Sequence, residues 1–382
     1  MLGLATKPIP TQDRYSRTDE HDLMFEGFLL FSDPPKPNIQ QAISDLVNLG
    51  VGLKIITGDN GRVAQHLAET IGLQVTGILS GSELNGMSNE ALWQQAERTN
   101  LFVDVDPNQK ERIILALRKM GHVVGYMGDG INDVPALHAA DVGISVDMAA
   151  DVAKETADFM LLERDLDVLR RGIEEGRTTF ANTLKYIFTT TSANFGNMVS
   201  MAGASLFLPF LPLLAKQILL NNFLSDIPAM TIASDNVDRE MVERPRRWNI
   251  SFIRNFMIVF GLISSSFDYL TFGVLLFVVR ATPEQFRTGW FIESLLTELV
   301  IIFVVRTYQP LFRSRPGKYL MMTTLMVFVI ALVLPMLPFA QMLGFTPLPF
   351  WVIAMLLGIT VLYVAVSEVA KSIFAKQWML AR

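Results

Sequence analysis

From residue 186 onward the chain is a succession of apolar segments, each near the ~20 residues that cross a bilayer. In lipid every backbone polar group must be satisfied within the protein, which restricts such segments to helices. Six can be placed, at roughly 186–208, 210–233, 255–279, 289–305, 319–338 and 350–370, the fourth being the shortest. Basic residues fall on alternate connections. Arg239, Arg244, Arg246 and Arg247 lie between the second and third segments, and Arg306, Arg313, Arg315 and Lys318 between the fourth and fifth. Lys371, Lys376 and Arg382 follow the sixth. On the other side "PFLP" and "PMLPFAQMLGFTPLPF" carry no charge, and the remaining loop holds Arg280 and Arg287. An excess of Lys and Arg marks the cytoplasmic face, so both termini are expected in the cytosol.

The N-terminal half differs in kind. Residues 1–185 hold 17 Lys and Arg against 27 Asp and Glu, whereas residues 186–382 hold 15 against 10. An acidic soluble half therefore precedes a hydrophobic half with basic loops, and no nucleic-acid patch is present. The absence of cysteine excludes a disulfide framework and a thiolate metal site. The opening "MLGLATKPIPTQDRYSRTDEHD" lacks the basic-then-apolar order of a signal peptide.

Within the soluble half, strand and helix patterns alternate. "LMFEGFLLF" ends at Asp33-Pro34-Pro35, "NIQQAISDLVNLG" reads as a helix stopped by Gly50, and "VGLKIIT" suits a strand buried on both faces. "GRVAQHLAETIGL" is the next helix, and "PNQKERIILALRKMG" another, with Pro107 in its first turn and Gly121 past its end. "HVVGYM", "VGIS" and "DFMLLE" are further strands. The alternation predicts an α/β domain with a doubly wound, Rossmann-type parallel sheet. Ligands of such sheets sit outside the carboxyl ends of the strands. "TGDN" (57–60) and "GDGIND" (128–133) both fall at such ends and are expected to meet in space.

Those two loops carry the chemistry. Asp129 and Asp133 are hard oxygen ligands of the kind Mg²⁺ takes. Gly128 and Gly130 let the backbone approach a phosphate. Thr57 and the Gly58 amide can donate to phosphate oxygens, and Lys110 can reach the same anion as a point charge. An isolated Gly-Asp-Gly is usually only a turn, with Asp133 then a first-turn helix acid. The preceding strand, the second acid at i+4 and the matching "TGDN" weigh against that reading here.

Polar residues inside the apolar segments are few, which makes each informative. Asn194 and Asn197 lie on one face of the first segment. The second carries Asn221, Asn222, Ser225 and Asp226, followed by Pro228, whose missing N–H is expected to break the helix locally. A freed carbonyl beside a carboxylate and amides suits a hard cation. Asn221 by itself reads as a bond to a neighbouring helix. Asp268, Glu293 and Glu298 stand open between the ion path and structural pairing or an interfacial position.

At "TGDN", "DPNQKERI" and "GDGINDVPALHAADVGISV" the chain resembles the haloacid-dehalogenase-like phosphorylation domain of P-type cation-transporting ATPases, in that family's order and spacing. "DPPKP" and "DVAKETADFMLL" fit as well. The resemblance implies a HAD-like domain followed by an all-α bundle of six transmembrane helices. It implies that Asp129 binds a catalytic Mg²⁺, with Asp133 and Asn132 supporting it. Thr57, Gly58 and Asp59 would bind and orient the phosphoryl group, and Lys110 would stabilise its charge. "SANFGN" and "NNFLSDIP" match the family's ion-site helices, and "IASDNVDREMVERPRRWN" with "GLISSSFDYLTF" is most similar to the bacterial magnesium-translocating (P3B-like) type. The implied transported-ion site is Asn194, Asn197, Asn222, Ser225 and Asp226, and the implied location is the bacterial inner membrane. Glu298 stands where the magnesium type is expected to have glutamine, which keeps Ca²⁺ and H⁺ as alternative cargo.

The departures bear on mechanism. The family forms an aspartyl phosphate on a D-K-T-G-T aspartate, and no aspartate here is followed by lysine. The T-G-E actuator motif and a first set of four membrane helices are also not found. The expected organisation is a nucleotide-domain remnant or linker over 1–20, a phosphorylation domain without its nucleophile segment over 21–165, and stalk and membrane helices over 166–382. The chain thus reads as the C-terminal portion of a pump, starting at an internal methionine. ATP would be used only together with the missing domains, supplied by an N-terminal partner chain if the pump is split. The alternative is an inactive truncated membrane fragment.

Overall fold

The structure, a computed structural model, describes residues 2–9, 11, 14–30, 35–163 and 165–380, the last six by backbone alone. The Asp33-Pro34 turn and the basic Arg382 lie outside the described residues, as does the side chain of Lys376. The chain divides into two compact units, Met1–Val47 with Val51–Val168 and Asn48–Gly50 with Leu169–Arg382.

The first unit opens with an antiparallel pair, β1 (Leu2–Thr6) and β2 (Met24–Leu29). Thereafter strands and helices alternate: α1 (Ile39–Asn48), β3 (Ile55–Ile56), α2 (Gly61–Thr70), β4 (Ile78–Ser80), α3 (Gly81–Gly86), α4 (Asn89–Arg98), β5 (Leu101–Val103), α5 (Pro107–Lys119), β6 (Gly125–Met127), α6 (Val134–Ala139), β7 (Val142–Val146), α7 (Asp151–Thr156) and β8 (Phe159–Leu161). The parallel pairing expected from the alternation is found, in two three-stranded ladders ordered β3-β5-β4 and β6-β7-β8. Local chemistry sets the helix ends. Asp106 caps α5 through the Gln109 amide with Pro107 in the first turn, and Gly121 takes a left-handed φ of 90° just past its end. Phe102, Ile113, Leu92 and Leu117 pack into one apolar core behind the strands.

The second unit is helical. It consists of α8 (Leu166–Phe207), which begins at the last residues of the first unit, then α9 (Ala215–Thr231), α10 (Arg239–Val242), α11 (Ile250–Gly273), α12 (Pro283–Val305), α13 (Lys318–Val333) and α14 (Phe350–Leu380). Among the described residues four helices are long and apolar enough to cross a membrane: Ile250–Val278, Pro283–Val305, Lys318–Met336 and Phe350–Phe374. The first two expected spans are helical but do not meet that measure. Thr189, Thr190, Thr191, Ser192, Asn194 and Asn197 dilute the apolar character of α8, and α9 has only 17 residues. The fourth span, the shortest by sequence, belongs to a 23-residue helix that Thr282 caps through the Gln285 amide. It is the centre of the bundle, 83% buried where the other three are 33–44% buried, and it packs against α9, α11, α13 and α14. The local break expected at Pro228 is not found. The proline sits inside a continuous α9, so the missing N–H removes one rung while the neighbouring rungs hold.

Small residues bring α8 and α11 together. A Cβ on Gly196 would lie 3.0 Å from the Gly261 carbonyl oxygen, and Ser265 donates to the Gly196 carbonyl at 2.8 Å. At one end of the bundle the helices converge on Asp235, whose side chain is fully buried. Its Oδ2 pairs with Lys185 Nζ of α8 at 2.8 Å and Arg306 Nε, just past α12, at 2.9 Å. Its Oδ1 accepts the Gly317 amide, at the start of α13, at 2.7 Å. Arg306, which the sequence placed among exposed loop charges, is only 2% exposed because this carboxylate draws it inward.

Removing Asp235 would strand two buried cations. Asp235→Ala should therefore cost about 3–5 kcal/mol. Arg239→Ala, which breaks a surface pair with Glu243, should cost under about 1 kcal/mol. Thermal unfolding of the detergent-solubilised protein, comparing the two variants, checks the ranking.

Candidate functional site

In the first unit, β6 leads into Gly128-Asp129-Gly130, a 3₁₀ turn over Ile131–Asp133, and then α6. The loop is tied down by backbone bonds. The Gly128 amide donates to Ile144, the Ala150 amide donates to the Asp129 carbonyl at 2.9 Å, and Ser145 Oγ donates to the Gly128 carbonyl at 3.0 Å. Gly128 has a steric reason to be glycine, since a Cβ there would lie 2.5 Å from Asp133 Cβ.

Asp133 is buried and fully engaged. Its Oδ1 accepts Lys110 Nζ at 2.7 Å and the Tyr126 hydroxyl at 2.7 Å, and its Oδ2 accepts the Gly130 amide at 3.2 Å. Burial alone would raise this carboxyl. The bonds from Lys110, Tyr126 and Gly130, with the lysine charge, outweigh it and hold the group below its ordinary range. Burial first, then the Asp133 bond and the Asp133 and Asp129 charges, push the Tyr126 phenol up, so it stays a donor. Tyr126 is the residue that sequence reasoning missed. A tyrosine in an otherwise aliphatic buried strand needs a partner for its hydroxyl, and that was the available signal.

The "TGDN" loop folds on itself. Thr57 Oγ1 donates to Asp59 Oδ2 at 3.0 Å and accepts the Asp59 amide at 3.0 Å, while Asn60 caps α2 through the Arg62 and Val63 amides. Hydrogen bonds link this loop to Lys110 through a third segment. The Asp104 amide donates to Asp59 and the Val105 amide to Thr57, and Asp106 then starts the helix that carries Lys110. Lys110 and Asp133 are thus in direct contact, and Thr57 and Asp59 are bonded to the segment that leads into the helix of Lys110.

The donor chemistry fits Mg²⁺, which takes oxygen ligands and keeps several waters. Asp129 supplies the loop's other carboxylate, and Asp133 Oδ2, with one bond, retains acceptor capacity where Oδ1 accepts two. Among the described residues no three acidic or histidine side chains converge on one point. A metal held by this loop would complete its shell with water or with substrate oxygens.

The second unit holds a cavity of about 130 Å³. Its polar lining comes from Thr189, Thr190 and Asn194 of α8, Asn222, Ser225 and Asp226 of α9, and Glu298 of α12. No basic residue lines it. Glu298 Oε1 accepts Asn197 Nδ2 at 2.6 Å and Asn221 Nδ2 at 3.0 Å, so Asn197 stands behind the carboxylate, outside the lining. The cavity exceeds the ~30 Å³ share of one water and can hold a cation with part of its hydration shell. Asp268 and Glu293 lie elsewhere. Asp268 accepts Ser200 Oγ at 2.5 Å and Trp290 Nε1 at 2.7 Å, and Glu293 is its neighbour.

Two family models match the chain: haloacid dehalogenase-like hydrolase over residues 7–141, and cation transporting ATPase, C-terminus, over residues 210–373. The chain is 44% identical over 388 aligned residues to a magnesium-transporting ATPase, P-type 1, of Salmonella typhimurium strain LT2, covering 99% of this chain and 43% of that protein. It is 43% identical to the protein so described from Escherichia coli strain K12, with the same coverage. A calcium-transporting ATPase of Bacillus subtilis strain 168 is 29% identical over 91% of the chain and 41% of its own length. The chain spans less than half the length of these curated relatives.

Two outcomes follow for the acid loop. Tyr126→Phe removes a buried bond to a charged carboxylate and should cost about 1.5–3 kcal/mol in chemical unfolding. Because the Asp133 carboxyl is lowered in the folded state, its stabilisation is complete above the ordinary carboxylate range and lost as pH falls through the folded value. Asp133→Asn should therefore flatten the acid limb of the stability–pH curve.

Proposed function

The chain belongs to the P-type cation-transporting ATPases, a membrane family, and from that premise we propose that it carries the metal-binding half of a phosphoryl-transfer site and the cation path of a divalent-cation pump. The favoured cargo is Mg²⁺. The observation that supports this most is the cavity, with Asp226, Glu298, Asn194, Asn222 and Ser225 presenting oxygens and no basic group opposing a cation. Mg²⁺ dehydrates reluctantly, and a roomy site of two carboxylates and neutral oxygens suits an ion that keeps waters.

In the phosphorylation unit, a bound catalytic Mg²⁺ would supply neutralisation of phosphoryl charge. Asp129 would hold it, with Asp133 and Asn132 beside it. Lys110 fixes Asp133 and presents a positive charge at the loop, which suits an anion arriving there. Thr57, Gly58 and Asp59 would orient the phosphoryl group at the neighbouring strand end. The nucleophile would be an aspartate outside this sequence, forming the aspartyl phosphate, with ATP bound by segments that this chain does not hold. Phosphoryl transfer depends on positioning by all these parts together. Continuous α8 would carry the coupling along the chain to Asn194 and Asn197.

The proposed setting is the bacterial inner membrane with both termini cytoplasmic. A Ca²⁺ pump is the second reading. Glu298 gives the cavity a second carboxylate, and Ca²⁺ takes more oxygen ligands than Mg²⁺.

Two measurements test the proposal. The isolated chain incubated with γ-labelled ATP should yield no acid-stable adduct, and a labelled adduct would sink the division of labour. In an assembled pump containing the remaining segments, Asp226→Asn should abolish ion-stimulated turnover without loss of fold. Unchanged Mg²⁺ transport by that variant would remove Asp226 from the ion site.

A further inference from the structure

One pair of acids in the membrane unit has no use in the cation path. Asp268 of α11 is 1% exposed and Glu293 of α12 is wholly buried, and neither lines the cavity. Asp268 is well supplied with donors, since Ser200 Oγ reaches its Oδ2 at 2.5 Å and Trp290 Nε1 its Oδ1 at 2.7 Å. Glu293 has none among the described residues, where neither of its oxygens accepts a hydrogen bond. It stands one turn beyond Trp290 on α12, and since Trp290 bonds Asp268 from that face, the Glu293 carboxyl is placed beside Asp268.

Ionised carboxylates only accept, so two of them in contact cannot bond to one another. Side by side and away from water they also repel, and both cannot stay ionised. The polar groups facing the pair are Ser200 from α8, Tyr269 from α11, Trp290 and Glu298 from α12, and Tyr363 from α14. None is a cation that could balance a double negative charge. One added proton resolves both problems, because it turns the acceptor–acceptor contact into a charge-assisted O–H···O⁻ bond.

We propose that Asp268 and Glu293 form a proton-binding site in which the two carboxyls hold one proton between them, separate from the cation cavity. The proton resides on Glu293, which then donates to Asp268. Asp268 carries the negative charge, because Ser200 and Trp290 already solvate it. The proton so placed ties α12 to α11, and through Ser200 to α8. This site does not depend on which ion the cavity carries.

Infrared spectroscopy of the purified, detergent-solubilised full chain tests it, through the deuterium-sensitive carbonyl band of protonated carboxylic acids. Glu293→Gln and Asp268→Asn each replace the shared proton by an amide donor of the same shape, so the fold should survive, as thermal unfolding will check. Each variant should lose one carboxyl's worth of that band. An unchanged band in both variants would overturn the proposal. The Glu293-dependent part of the band should also be indifferent to Mg²⁺ added after chelator treatment. Its disappearance on adding Mg²⁺ would mean that the pair holds a metal ion instead, and would equally overturn it. Glu293→Ala, which leaves Asp268 without any donor from that side, should lower the unfolding temperature more than Glu293→Gln. The reverse order would remove the shared hydrogen bond.

Discussion

A single buried carboxylate, Asp235, fixes the end of the helical bundle. It is compensated by Lys185 and Arg306 and accepts the Gly317 amide, so α8, α12 and α13 meet at one group. Neither cation is spare. Lys185 also donates to the Asn236 carbonyl, and Arg306 to the carbonyls of Ser314, Asn236 and Arg315. A buried ion network of this kind adds little net stability against apolar packing, because desolvation offsets the attraction. What it does impose is geometry, since each charge is tolerable only where its partners are. The register of α8 is thereby set, and with it the positions of Asn194, Asn197 and Ser200 further along the same helix.

That register decides what each polar residue of α8 faces. Asn197 follows Asn194 by three positions and Ser200 follows Asn197 by three more. Yet Asn194 opens on the cavity, Asn197 bonds Glu298 and Ser200 bonds Asp268. The close approach at Gly196 and Gly261 brings α11 near enough for the last of these. A helix of larger side chains would hold α11 off and leave Asp268 without its hydroxyl donor.

Sequence pattern revealed what depends on local chemistry. Pro107 and Gly121 marked helix ends that the structure bears out, and the parallel pairing followed from the alternation of apolar runs and amphipathic stretches. Long-range compensation was not legible. Arg306 looked like one more cytoplasmic arginine, because nothing near it in sequence announces that Asp235, 71 residues away, would bury it. Tyr126 looked like part of an apolar strand for the same reason. Pro228 misled in the other direction. A local rule predicted a break, but α9 packs against α12 and α13, and those contacts keep the helix intact around one missing bond. Of the candidate ion residues, Asn222, Ser225 and Asp226 were legible as polar residues inside an apolar segment. That Glu298 joins them and Glu293 does not is set by helix packing, and no spacing rule could separate the two.

The buried acids of this chain illustrate different answers to one electrostatic problem. Asp133 is balanced by Lys110, and Asp235 by Lys185 and Arg306. On the inference drawn above, Glu293 is balanced by a proton. Asp226 and Glu298 face a cavity of about 130 Å³ with amides and hydroxyls around them and no fixed cation in the lining. A fixed cation would make such a site permanent and useless for passage, since a charge that never leaves blocks the next one. Amides offset only part of a carboxylate's desolvation, so the remaining attraction is available to a mobile cation. In the first unit Asp133 is tied to Lys110, and on the proposed reading Asp129 is the loop carboxylate that holds the metal. On the proposed reading, then, the carboxylates suited to turnover are those of the cavity, whose lining holds no cation of the fold's own.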